Sequence, residues 1–290
     1  MTNGLKIMKR GVIRFVSLAG IGLLSACGAG LDAPQFPQSQ KVTAAPTSKP
    51  EIFSPDQLSS LYGWYKADYF SSLVPSGSAL STGSYAWLSQ GTGNAFTQFI
   101  GSLVFSAVGG ANSQPEVRYG SPSSQIYIPA NSLPAAIGGM TIFVVLNQTT
   151  AGNAGIVEIL GTGNSMLSLS SASALRKFEV VDSASSALST SISSSATQIT
   201  SGYHIHQARW TVGVAPAFDT LEYAVTHEGN SSTTANAVRG GTNLSTGKII
   251  LGGQSNSATG NYCELLIYTR PLDNEELQRV SDYLVAKYKL

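Results

Sequence analysis

The chain has 290 residues, of which 42% are hydrophobic and only 11% charged, with 30 glycines and a formal net charge of +1. That length supports a well-filled core in one β-domain, and the apolar content excludes a disordered chain. No basic stripe exists to neutralise phosphates, which excludes a nucleic-acid binder.

Residues 1–26 read as a leader rather than as folded structure. Lys6, Lys9, Arg10 and Arg14 accompany an apolar run, Val12 to Leu24, that is too short for a membrane span. Met8-Lys9-Arg10 would open a leader of more usual length than Met1 does. The run ends in Leu24-Ser25-Ala26-Cys27, which resembles a bacterial lipobox. The resemblance implies cleavage before Cys27, lipid attachment at Cys27 and a place in the cell envelope. Gly28, in the position where Asp would retain an enteric-type lipoprotein, implies the outer membrane. Without the four leader charges 13 basic residues face 16 acidic ones, a mature charge of −3. The other cysteine, Cys263, then has no partner for an intrachain disulfide and reads as a buried small hydrophobe.

Residues 27–50 carry Pro34, Pro37, Pro46 and Pro50 among Gln, Ser, Thr and Ala, the composition of a tether. A flexible coil of that length spans roughly 25 Å. The folded domain is expected over 51–290. It opens with Ser54 as a helix cap, Pro55 in the first helical position and a strand over 61–69. Strands are expected at Pro115–Tyr119, Gln125–Ile128, Ile156–Leu160, Met166–Leu169, Lys177–Val181, Tyr203–Val214 and Thr220–Thr226. Met140–Leu146 is apolar on both faces, which predicts a strand buried between two packing layers. The Ser/Ala-rich stretch 168–201 reads as exposed strands with long polar loops.

The C-terminal end is the most strongly patterned part. Strands at Lys248–Leu251 and Tyr262–Tyr268 flank a polar loop. Asp273 and Glu276 have capping-box spacing, and Leu272 and Leu277 have that of a hydrophobic staple. Leu277, Val280, Leu284 and Tyr288 recur on one helical face, which predicts a helix packed on a sheet already formed.

Three stretches carry a resemblance over about residues 51–290. They are Ser-Pro-x-x-Leu-x-x-Leu-Tyr-x-Trp-Tyr-Lys-Ala-Asp at the start, Trp87 with the loop Ser89-Gln90-Gly91-Thr92-Gly93-Asn94, and Gly-x-Tyr-x-Glu-Leu-Leu-Ile-Tyr-x-Arg-x-Leu at the end. Together they resemble bacterial laminin-G-like, concanavalin A-like jelly-roll domains. The resemblance implies an all-β, two-sheet antiparallel sandwich with a short N-terminal helical turn and a C-terminal amphipathic helix. It does not imply a task, because the fold serves lectins, adhesins, hydrolases and spacers alike.

Glycosidases need two carboxyl groups flanking the scissile bond. No Glu-x-Asp-x-x-Glu strand occurs, and Asp219/Glu222 and Glu179/Asp182 are three apart, on opposite faces of a strand. His204 and His206 would share a face but have no neighbouring Cys or Asp to complete a metal site. Rim calcium finds no Asp-x-Asp cluster, so no cofactor is expected. Trp64 and Trp210 are assigned to the core. Trp87 with Asn94, Asn256 and Asn261 is the set expected to contact a ligand, by stacking and amide hydrogen bonds. The chain is therefore expected to be a lipid-anchored envelope protein that recognises a glycan or a surface protein without catalysis. The alternatives are a structural component of an envelope assembly and a divergent glycoside hydrolase.

Overall fold

The structure, a computed structural model, describes residues 53–149, 152–172, 175–194, 199–200, 202–213, 218–234 and 242–290. The leader, Cys27 and the tether lie outside the described residues. Pro55–Gln57 forms a 3-10 turn, and the Ser54 N–H donates to Gln57 Oε1 at 3.1 Å. The described strands, in chain order, are β1 (Leu61–Lys66), β2 (Gln98–Ile100), β3 (Leu103–Ser106), β4 (Glu116–Tyr119) and β5 (Gln125–Ile128). There follow β6 (Gly139–Gln148), β7 (Ala154–Leu160), β8 (Met166–Ala172), β9 (Leu175–Val181) and β10 (Ala187–Ser193). The last are β11 (Tyr203–Thr211), β12 (Thr220–Val225), β13 (Gly229–Thr234), β14 (Ile249–Leu251) and β15 (Gly260–Tyr268), before helix α1 (Asn274–Tyr288).

These strands make two antiparallel sheets. One has eight strands in the order β13-β12-β11-β6-β15-β4-β3, with β1 also on β15; the other has seven, β10-β9-β8-β7-β14-β5-β2. The expected β-sandwich with a C-terminal helix is the observed architecture. The first strand is shorter than expected, because Ala67–Ser72 turns into a 3-10 segment that buries Phe70.

The apolar run of β6 is explained by its position. Ile142, Val144 and Leu146 point between the sheets, while Phe143 and Val145 point outward beneath α1. Both faces are therefore dry. The helix begins where its cap signals place it: Asp273 accepts from the Glu276 N–H at 2.8 Å, and Glu276 Oε2 accepts from the Asp273 N–H at 3.0 Å. Leu277, Val280, Leu284 and Tyr288 are its buried residues. They join Trp64, Leu266, Tyr268 and Leu272 in a second apolar layer on the outside of the eight-stranded sheet. A register shift between Tyr262 and Glu264 is a β-bulge, so Cys263 and Glu264 both face that layer.

Candidate functional site

Trp87 is fully buried, which corrects its assignment to ligand contact. Its indole Nε1 donates to Lys66 O at 2.9 Å, and its ring lies 5.3 Å from Phe70 and 6.1 Å from Phe96. The loop after it is tied to β1. Gln90 N donates to Trp64 O at 2.9 Å, and a Cβ at Gly91 would stand 2.5 Å from Tyr62 O. The glycines there allow close approach to a strand.

The three asparagines are held apart in different places. Asn94 Nδ2 donates to Ala130 O at 2.9 Å, Asn256 Nδ2 donates to Asn153 O, and Asn261 Nδ2 is 3.4 Å from the Tyr203 hydroxyl. Each amide braces a loop or a strand start.

The surface aromatic of this region is Tyr85, two residues before the buried tryptophan. Segments 82–87 and 96–99 run antiparallel and are clamped at both ends. At one end Trp87 N donates to Phe96 O at 2.8 Å and Phe96 N to Trp87 O at 3.0 Å. At the other, Thr82 Oγ1 accepts from Phe99 N at 2.8 Å and donates to Phe99 O at 2.9 Å. Between the clamps the segments part, leaving a cleft of about 470 Å³ lined by residues 82–86, Thr97 and Gln98. That volume lies within the range of small-ligand sites. Tyr85 packs edge-on against buried Phe70, with centroids 6.5 Å apart, which fixes its ring. The Tyr85 hydroxyl, the Gln98 amide and the Thr97 hydroxyl have no partner among the described residues. No carboxylate, amine or guanidinium lines this cleft.

The buried carboxylates are committed elsewhere. Glu116 accepts from Arg118 at 2.6 Å and from Tyr203. Glu228 is held by Arg176 at 2.9 Å and 3.1 Å and by Ser194. Burial alone would raise the Glu228 pKa, but hydrogen bonds from Arg176 and Ser194 and the Arg176 charge bring it below its ordinary value. Across strands, Glu158, Ser168 and Glu179 occupy one rung of the seven-stranded sheet. Their register sets the Glu158 and Glu179 backbones roughly 10 Å apart. Burial raises the Glu158 pKa, yet Glu179 is paired with Lys177 at 2.7 Å, and neither residue lines the Tyr85 cleft.

His204 and His206 face the interior of the sandwich. His204 Nδ1 lies 3.0 Å from Thr226 O, and His206 Nδ1 lies 2.7 Å from the Tyr223 hydroxyl. Among the described residues no group of three or more His, Cys, Asp or Glu converges as a metal would require. Burial pushes the Cys263 thiol well above its ordinary pKa, so it stays protonated and unreactive.

No family model matches the chain, and no curated protein matches it. Solved structures do. The receptor-binding domain of botulinum neurotoxin D superposes with a TM-score of 0.55 at 10% identity, covering 80% of this chain and 54% of that one. The binding domain of paraclostridial mosquitocidal protein 1 gives 0.50 at 15% identity, covering 76% and 51%. The likeness is one of fold. The botulinum serotype D ligand-binding domain in complex with N-acetylneuraminic acid gives 0.53 at 10% identity, over 77% of this chain and 50% of that one. The chain thus spans about half the length of each structure.

Proposed function

We propose that this protein is a non-catalytic recognition protein of the bacterial envelope, lipid-anchored through Cys27, that binds an uncharged glycan in the Tyr85 cleft. The observation that carries the reading is the cleft itself: a fixed aromatic ring beside a free amide and two free hydroxyls, with no carboxylate in reach. A sugar ring offers C–H faces to an aromatic surface and hydroxyls to amides, so the lining matches it group for group. Hydrolysis needs a proton donor and a second carboxylate at the scissile bond, and this lining holds neither. The receptor-binding and ligand-binding domains that share the fold support glycan binding as such; the sugar in one of them, N-acetylneuraminic acid, is acidic, and the preference for an uncharged glycan here rests on the cleft lining. Shallow cleft binding is weak per copy, and many anchored copies on tethers would raise avidity.

The test is a screen of the full chain against immobilised neutral and acidic glycans, with Tyr85→Ala as control. Retention on neutral glycans that the variant loses supports the reading. Retention that ignores Tyr85, or no retention at all, overturns it.

A further inference from the structure

A second groove lies on the outer face of the eight-stranded sheet and shares no residue with the Tyr85 cleft. Helix α1 covers β1, β6 and β15 and touches Ile205 of β11, but the apolar layer beneath it includes nothing from β12 or β13. The sheet therefore continues past the helix as an open shelf, and the step between them encloses about 480 Å³.

The floor of this groove is a lattice fixed by strand register. Arg209, Glu222 and Ser232 form one rung across β11, β12 and β13; Gln207, Ala224 and Asn230 form the next. Strands stand about 4.8 Å apart and alternate residues along a strand about 6.7 Å apart, a grid on the scale of a single sugar ring. Ala224 is the small residue between two amides, so it leaves a hollow in the floor. Leu277 and Asn274 of α1 close one side.

We propose that this groove is a second saccharide site, taking an uncharged polyhydroxylated ring or short run of rings. The proposal rests on the glycan-binding reading above and extends it to two sites on opposite sheets.

Its polar groups are held ready. Ser281 Oγ donates to Gln207 Oε1 at 2.9 Å, which leaves the Gln207 NH₂ as a donor to the groove. The side chains of Asn230, Ser232 and Asn274 have no partner among the described residues. Preorganised amides and hydroxyls that satisfy nothing within the protein are what a hydroxyl-rich ligand needs.

Charge argues against an anion. Arg209 is ion-paired to Glu222, and its Nη1 donates to Leu272 O at 2.7 Å. Asp273 and Glu275 stand at the start of the helix that walls the groove, and Glu276 there is ion-paired to Arg270 at 2.6 Å. A carboxylate or phosphate would meet a guanidinium already matched by Glu222, the acidic residue of the lining. The lining argues against an apolar partner, since Ala224 and Leu277 are its aliphatic side chains and most of the rest are polar. They suit the C–H face of one ring.

The test is NMR titration of the full chain, methyl-labelled at alanine, with cellohexaose, laminarihexaose and maltohexaose in turn. With at least one of them, the Ala224 methyl and the Asn230 and Asn274 side-chain amides should shift. Those shifts should persist in Tyr85→Ala and weaken at least tenfold in Ala224→Leu, which fills the hollow from the solvent side. Asn230→Ala, on the exposed edge strand, should weaken them in the same way and guards against misfolding of the first variant. Shifts confined to the Tyr85 cleft, or groove shifts indifferent to both groove variants, would overturn the second site and leave the first. Silence at both sites with all three sugars would overturn this proposal and the glycan reading together.

Discussion

Trp64 and Glu264, 200 residues apart in the chain, are joined by a 2.6 Å hydrogen bond from the indole Nε1 to a carboxylate oxygen that is itself almost fully buried. The same carboxylate accepts from Tyr283 at 3.2 Å and from Lys287 and Tyr288 at 2.7 Å each. One side chain thus fastens the first strand, the last strand and the C-terminal helix. Glu264→Leu should strip four donors of this acceptor and cost roughly 3 kcal/mol or more, because the Trp64 indole and the Tyr288 hydroxyl are left in a buried apolar layer. Denaturant unfolding gives the value; a loss under about 1 kcal/mol would contradict the bracing role.

The helix should also contribute through its apolar stripe. Leu284 is fully buried against the outside of the sheet, so Leu284→Ala should cost about 2–5 kcal/mol. Deleting residues 273–290 should expose Phe143, Val145, Leu266 and Tyr268 and leave the domain insoluble. A soluble truncation with unchanged Tm would show the helix to be an appendage.

Trp87 and Tyr85 should respond in opposite ways. Trp87→Ala should open a cavity in the core and cost about 3–5 kcal/mol. Tyr85→Ala should leave Tm nearly unchanged and reduce glycan retention. Paired melting curves and binding assays check this, and equal destabilisation by both variants would contradict the assignment.

The two ends of the domain were legible in the sequence because their signals are local. A cap, a staple and four apolar residues at helical spacing need nothing distant to be read. β6 was legible too, since a strand wetted on neither face shows an unbroken apolar run. β13 was not: Gly229-Asn230-Ser231-Ser232-Thr233-Thr234 has no apolar residue, and only pairing with β12 makes it a strand. β2 and β3, of three and four residues, are too short to show a period. Near residue 87 the sequence marked Trp87 for ligand contact, and the structure turns that ring into the core. The bridge between Trp87 and Phe96 decides which ring turns inward, and nothing near residue 87 announces residue 96. The second groove draws on residues from 207 to 277, so its register could not be seen before the strands were paired.

Acid should destabilise the fold through His206. Its ring is fully buried, its Nε2 has no partner among the described residues, and it faces Tyr223, Arg176 and His204 within the sandwich, with Glu228 on the far side of His204. Burial first, then the Arg176 and His204 charges, holds its pKa well below the ordinary imidazole value. The unfolded chain gains a proton near pH 6.5 that the folded chain refuses. Stability is therefore complete above about pH 6.5 and falls as the pH drops below it, by up to about 1.4 kcal/mol per unit. Glu228, with its pKa lowered, adds a further loss only below its ordinary carboxylate range. His206→Gln should flatten the upper part of this slope. Identical slopes in both proteins between about pH 7 and about pH 5.5 would exclude His206 as the cause.

Lipid attachment is tested at one atom. Cys27→Ala should abolish incorporation of labelled fatty acid and move the protein from the detergent phase to the aqueous phase. Unchanged partitioning of the variant would contradict the lipobox reading.

Binding without turnover is the central claim, and prolonged incubation of the protein with each glycan it retains tests it most directly. New reducing ends are then measured against a protein-free control. The account predicts retention that depends on Tyr85, with reducing ends no higher than the control. Steady accumulation of reducing ends, abolished by Glu158→Gln or Glu179→Gln and untouched by Tyr85→Ala, would contradict it.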